Sequence, residues 1–138
     1  MRLNTMAAVM SFVSRIEDDS ASFYEGCAEK YPDLKGTFLS WSKENRKFEK
    51  NVKRTYFGVI TDTIESNYAF EGLDTDDYAF ETTVPENAGK AIEKAREMEA
   101  RIRAFYVKAA ELSEGLMADI PRLFKQIARK REDRRLPT

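Results

Sequence analysis

Apolar residues recur along this chain at alternating steps of three and four, with charged residues between them, and that rhythm predicts helices. Over residues 4–30, Val9, Val13, Ile16, Ser20, Phe23 and Cys27 form one such seam. Pro32 interrupts it, and Asp33 is placed to cap the next helix. The second helix is expected over 34–56, with Phe38, Trp41, Phe48 and Val52 inward and Gly58 ending or bending it. Between 60 and 85 the rhythm is lost. This stretch holds Thr61-Asp62-Thr63, an acidic turn around Gly72, and Tyr68-Ala69-Phe70-Glu71 echoed by Tyr78-Ala79-Phe80-Glu81. Its aromatic residues are expected to pin it to the flank of the helices. A third helix is expected over 85–113, with Ala91, Ala95, Met98, Ile102, Phe105 and Ala109 on one stripe and Thr83 and Glu86 spaced as a capping box. Gly115 then marks a turn, Asp119 a cap, and Pro121 a first-turn position of a fourth helix carrying Leu123, Phe124, Ile127 and Ala128. Residues 132–138 are expected to fray. Two helical hairpins joined by a long crossover predict an all-α four-helix bundle occupying residues 1–138 as one domain.

The two hairpins repeat each other. Glu17 and Glu99, Phe23 and Phe105, Tyr24 and Tyr106, Ala28 and Ala110, and Glu29 and Glu111 all pair at an offset of 82. Asp33 and Asp119, Leu34 and Ile120, and Phe38 and Phe124 pair at an offset of 86. Glu17 lies on the first seam, with Tyr24 two turns further along the same face; Glu99 and Tyr106 repeat the arrangement. A carboxylate on an inward stripe is costly unless a cation, a metal or a proton donor satisfies it. A single such glutamate is better placed at the edge of the seam, reaching solvent. A matched pair in a duplicated frame favours the interior.

Composition narrows the chemistry. The chain has 23 basic and 24 acidic residues and a net charge of −1, which argues against a nucleic-acid or membrane-surface partner. No run of eighteen apolar residues is present, so no membrane span is expected. Residues 1–13 read as part of the first helix rather than as a signal peptide, and the cytoplasm is the expected location. The single cysteine, Cys27, excludes an internal disulfide and a four-thiolate metal site, and its place on the seam marks it as a small buried hydrophobe. There are no histidines, which excludes any mechanism requiring an imidazole. Asp74, Asp76 and Asp77 near Glu71 lack the spacing of a calcium loop and read as a solvated acidic turn. The basic run from Arg129 to Arg135 is interrupted by Glu132 and Asp133, again against nucleic-acid binding.

In these residues the chain resembles the ferritin-like superfamily and, within it, the rubrerythrin-type di-iron domain. The resemblance rests on Glu17 with Phe23-Tyr24, on Glu99 with Phe105-Tyr106, and on the hairpin-entry patterns Phe38-x-x-Trp41-Ser42 and Phe124-x-x-Ile127-Ala128. It implies a ferritin-like bundle in which helices 1 and 3 each give one glutamate, and helices 2 and 4 each give Glu-x-x-His, to two iron ions. It further implies chemistry on peroxide or oxygen, or iron storage, and pairing into a homodimer. Carried across, Glu17 and Glu99 stand at the single-glutamate positions, and Tyr24 and Tyr106 at those of the supporting tyrosines. The Glu-x-x-His positions fall on Arg131 and Arg134 in helix 4 and on Asn45 and Phe48 in helix 2. A one-residue shift in helix 2 gives Glu44 and Lys47 instead. The rubredoxin-like cysteine site of the family is absent.

A guanidinium is charged at any physiological pH and repels divalent cations. The expectation is therefore a polar core cluster in which Arg131 takes the place of the metal and forks across Glu17 and Glu99, with Asn45, Tyr24 and Tyr106 completing the hydrogen bonds and Phe48 filling volume. The competing view of Arg129 to Arg135 is a solvated helix end suited to the C-terminal dipole. The leading function is a ferritin-like module without cofactor or catalysis, acting structurally or through an unidentified protein partner. The alternative is a divergent carboxylate enzyme holding two iron or manganese ions through Glu17, Glu44, Glu99 and Glu97. A third reading places a small apolar ligand beside Phe48.

Overall fold

The computed structural model describes residues 1–62, 71–115 and 119–136, with the backbone alone at 59–62. Four long helices pack against one another: α1 (Met6–Lys30), α2 (Lys35–Asp62), α3 (Ala88–Leu112) and α4 (Asp119–Glu132). No strand occurs among the described residues, and no helix there is long and apolar enough to cross a membrane.

The starts of α1, α2 and α3 lie where a side chain can accept from free backbone N–H groups or where a tight turn delivers the chain. Thr5 caps α1, its Oγ1 accepting from the Ala8 N–H at 3.1 Å. Asp33 does not cap α2 as expected but lies inside a 3₁₀ turn, Pro32–Leu34, that leads straight into it. Gly58 does not end α2, which continues to Asp62. A lone glycine inside a helix costs only about 1 kcal/mol, and Gly58 lacks the left-handed backbone that would stop one; among the described glycines only Gly72 has it, at φ 94°. The Thr83–Glu86 capping box does not form either. Asn87 is the cap, its Oδ1 accepting from the Lys90 N–H at 2.8 Å, and α3 starts at Ala88. Glu86 instead pairs with Lys90 Nζ at 2.5 Å. Asp119 is the first residue of α4, with Pro121 tolerated in its first turn. Residues 116–118 and 137–138 lie outside the described set.

The expected seams form the core. All six seam residues of α1, all six of α3, and Phe38, Phe48, Val52, Phe124, Ile127 and Ala128 are buried, while Trp41 and Leu123 pack partly buried against them. Contacts also give the directions. α1 packs chiefly on α2 and α3 on α4, and the helices of each pair run antiparallel, with Ser20 against Asn45 and Glu25 against Ser42 in the first and Tyr106 against Phe124 and Glu99 against Arg131 in the second. Phe12 meets Phe105 at 5.0 Å, and Tyr31 Oη at the end of α1 donates to the Pro85 carbonyl just before α3. These two contacts make α1 and α3 antiparallel. α2 and α3 therefore run the same way, and the chain between them must return along the full length of the bundle.

Residues 73–85 describe part of that return. The Leu3 N–H donates to the Leu73 carbonyl at 2.9 Å, and Tyr78 sets its ring edge-on to Phe105 at 5.5 Å. Asp74 spends its carboxylate on the Asp76 N–H at 3.0 Å, as the cap of the turn Thr75–Tyr78. Near the far end, Gly26 lets the strap lie close to α1, since a Cβ there would stand 2.8 Å from Val84 Cγ2. Thr63 and the aromatic echo at Tyr68 and Phe70 lie outside the described residues.

The tail is not frayed as far as Leu136. α4 ends at Glu132, yet Arg134 turns back into the bundle with its side chain 4% exposed, and Leu136 packs against the core. Acceptors waiting at the bundle mid-plane hold it there.

Candidate functional site

Glu17 and Glu99 come together at the middle of the bundle, 0% and 5% exposed, with Arg131 between them at 1%. Arg131 Nη1 donates to both oxygens of Glu99, at 2.8 and 2.9 Å, and Nη2 to Glu17 Oε1. The tyrosines cross over. Tyr24, of the first repeat, donates to Glu99 Oε2 at 2.5 Å; Tyr106, of the second, donates to Glu17 Oε2 at 2.5 Å. Because α1 and α3 are antiparallel, a phenol two turns beyond its own glutamate points back at the other helix's glutamate. All four carboxylate oxygens thus accept a hydrogen bond within the protein.

A second guanidinium enters from beyond α4. Arg134 reaches Glu99 Oε2 at 2.8 Å, Glu44 Oε1 at 2.9 Å and Asn45 Oδ1 at 2.6 Å. The Asn45 amide donates in turn to Ser20 Oγ at 3.0 Å. Phe48 lies beneath both cations, 5.6 Å from Arg131 and 5.7 Å from Arg134, and Trp41 is 5.3 Å from Arg134. Helix 2 therefore presents Asn45 and Phe48 inward. Lys47 is exposed and Glu44 stands at the rim, its side chain 39% exposed. Glu97, offered as a further ligand, is exposed and outside the cluster. Cys27 is buried away from these groups, and burial pushes its thiol up to about 11.

Sequence reasoning omitted Arg134 and Ser20 from this cluster. The signal for Arg134 was its place three residues after Arg131, one helical turn along the same face. Ser20 stood on the α1 seam as a polar residue among apolar ones, which asks for a partner.

Burial opposes charge throughout, and the partners decide the outcome. It works against the charge on Arg131, but the facing carboxylates of Glu17 and Glu99 outweigh it and raise the pKa. Burial, with the adjacent carboxylate, lifts Tyr24 and Tyr106 well above the ordinary phenol value, so both remain donors. Burial pushes Glu17 up, and Arg131 and the Tyr106 hydroxyl offset only part of this. Glu99 is desolvated too, but Arg131 and Arg134 together hold it below the ordinary glutamate range. One guanidinium in direct contact against two separates these glutamates.

That separation has a measurable sign. Above the ordinary value of 4.5, the folded protein binds a proton at Glu17 more readily than the unfolded chain does, so lowering the pH toward 4.5 adds stability from this group. Below 4.5, the unfolded chain protonates while folded Glu99 stays ionised, so stability falls. Urea midpoints measured over roughly pH 3 to 7 should show Glu99→Gln removing part of the acid-side loss, and Glu17→Gln removing the gain above it.

The donor set does not suit a di-metal centre. The two inward glutamates are already spanned by guanidiniums, and among the described residues no three His, Cys, Asp or Glu side chains group so as to hold a metal ion. A dication placed between Glu17 and Glu99 would also meet the fixed charges of Arg131 and Arg134. No protein-family model, curated protein or solved structure matches this chain.

Proposed function

We propose that this protein is a ferritin-like, rubrerythrin-like bundle whose di-metal centre has been replaced by an internal arginine lock, and that it serves as a non-catalytic structural or protein-interaction module. The observation that carries this reading is Arg131 forked across Glu17 and Glu99, with no carboxylate oxygen left over. The helix directions and the long return between α2 and α3 support the ferritin-like part, as does the meeting of the duplicated glutamates at one level. Reduction of peroxide or oxygen needs a centre that supplies electrons and a position open to the substrate, and every carboxylate oxygen of Glu17 and Glu99 already accepts a hydrogen bond within the protein. Pairing into a homodimer belongs to the same proposal. Val107, 47% exposed, lies with Ala100, Ala104 and Ala128 along a groove between α3 and α4 that Arg103, Lys108, Glu111 and Glu132 also line, and such pairing would cover it.

Elemental analysis tests the reading. Protein purified without chelator is expected to carry less than stoichiometric iron or manganese, and added ferrous ion should leave Tm unchanged under anaerobic conditions. Two tightly held metal ions per chain, or a Tm that rises with ferrous ion, would establish the carboxylate-enzyme alternative in its place.

A further inference from the structure

Beside the lock is a half-open cleft of about 330 Å³ whose charge is concentrated far beyond that of the whole chain. Five arginines line it: Arg96 and Arg103 from α3, Arg131 from α4, and Arg134 and Arg135 from the segment after it. Glu99 is the one acid in the lining. Arg131 and Arg134 are paired with Glu17, Glu99 and Glu44, so five cations against three acids leave a local excess of two positive charges. The chain as a whole has a net charge of −1. Among the described residues, neither Arg96 nor Arg103 forms an ion pair, and Arg135 donates only to the Glu132 carbonyl, at 3.2 Å. Arg131 also keeps a buried Nε–H with no acceptor.

We infer that this cleft binds a phosphate group, either free or as the monoester of a small molecule. Arg96 and Arg103 are two turns apart on one face of α3, and the small side chain of Ala100 lies between them, leaving the floor open. Guanidinium forks match tetrahedral oxyanions and bind them bidentately. A phosphate monoester carries nearly two negative charges at neutral pH, which balances the local excess. The lining has no aromatic ring on which a nucleobase could stack, and the volume is near the lower limit of small-molecule sites. Leu136 gives the cleft an apolar wall against which a short organic group can rest. The inference does not depend on a ferritin-like ancestry, since it rests on the cleft's own residues.

The test is calorimetric titration of the full chain with inorganic phosphate and with glycerol phosphate, at ionic strength held constant with chloride. Saturable binding of one or both is expected, and the stronger identifies the natural form of the group. Arg96→Gln with Arg103→Gln should weaken binding by at least about tenfold, and both positions lie outside the lock, so Tm without ligand should hold. Arg101→Gln, an exposed arginine of α3 away from the cleft, should bind like wild type. The inference is overturned by titrations that match the chloride blank, by an Arg96/Arg103 double variant as tight as wild type, or by tighter binding of a single-stranded oligonucleotide than of either phosphate. Metal bound in the elemental analysis would upset the proposed function while leaving these titrations to stand or fall alone.

Discussion

Arg131→Leu is expected to destabilise the protein by about 3–5 kcal/mol, because it leaves a buried carboxylate without its cation. For a chain of this size that corresponds to a fall in Tm of roughly 10–20 °C. The two glutamates should not suffer equally. Glu99 keeps Arg134 at 2.8 Å, whereas Glu17 is left with the Tyr106 hydroxyl alone. Arg131→Leu combined with Glu17→Gln should therefore recover most of the loss, and adding Glu99→Gln should recover little more. Urea unfolding of the three variants measures this directly. If Arg131→Leu melts with wild type, the guanidinium contributes nothing that a packed leucine does not, and the lock plays no part in stability. The predicted rescue follows from an asymmetry in burying charge: intact ion clusters come out near neutral against apolar packing, while a cluster missing one member carries the whole desolvation penalty of what remains.

The helices and the inward faces were legible because they depend on local periodicity, and each seam residue named from the pattern on α1 and α3 is buried. Helix ends were read less well. Three- to six-residue errors arose at Gly58 and Pro85, where a weak local stop signal was overridden by continued helix or by a better cap at Asn87. The pair Glu17 and Glu99 emerged from duplication, which fixes equivalent positions without any knowledge of contacts. Arg131 came from counting in the same frame. The crossing of the tyrosines was not legible, since it needs the relative direction of α1 and α3, a property of the long return rather than of either helix. Arg134 was counted onto a ligand position, but its part in the cluster was not legible, for a related reason. It lies past the last helical residue, where sequence alone predicts fraying, and only the acceptors on Glu99, Glu44 and Asn45 draw it inward.

A variant that puts metal ligands at the positions of the proposed replacement gives the second large effect. In the duplicated frame Asn45 corresponds to Arg131 and Phe48 to Arg134, both at the offset of 86. Asn45→Glu, Phe48→His, Arg131→Glu and Arg134→His together would surround the mid-plane with four carboxylates and two imidazoles. Without metal, that variant buries four acids with no cation, so it is expected to be unfolded or barely folded at neutral pH. With manganese or ferrous ion it should fold, because any ligand that binds only the native state stabilises it by mass action, by about 2.7 kcal/mol at one hundred times its dissociation constant. Circular dichroism with and without metal, followed by metal counting after gel filtration, reads both halves of the expectation. Arg134→His tests the geometry most severely, since residue 134 lies beyond α4 and its backbone must still deliver an imidazole to the centre. If the fourfold variant folds equally well with or without metal and retains none, positions 45 and 131 do not converge on one point, and the likeness to a di-metal bundle fails with them. If it folds only when metal is present, the arginines of the natural chain occupy ligand positions, and the lock is a substitution of side chain for ion.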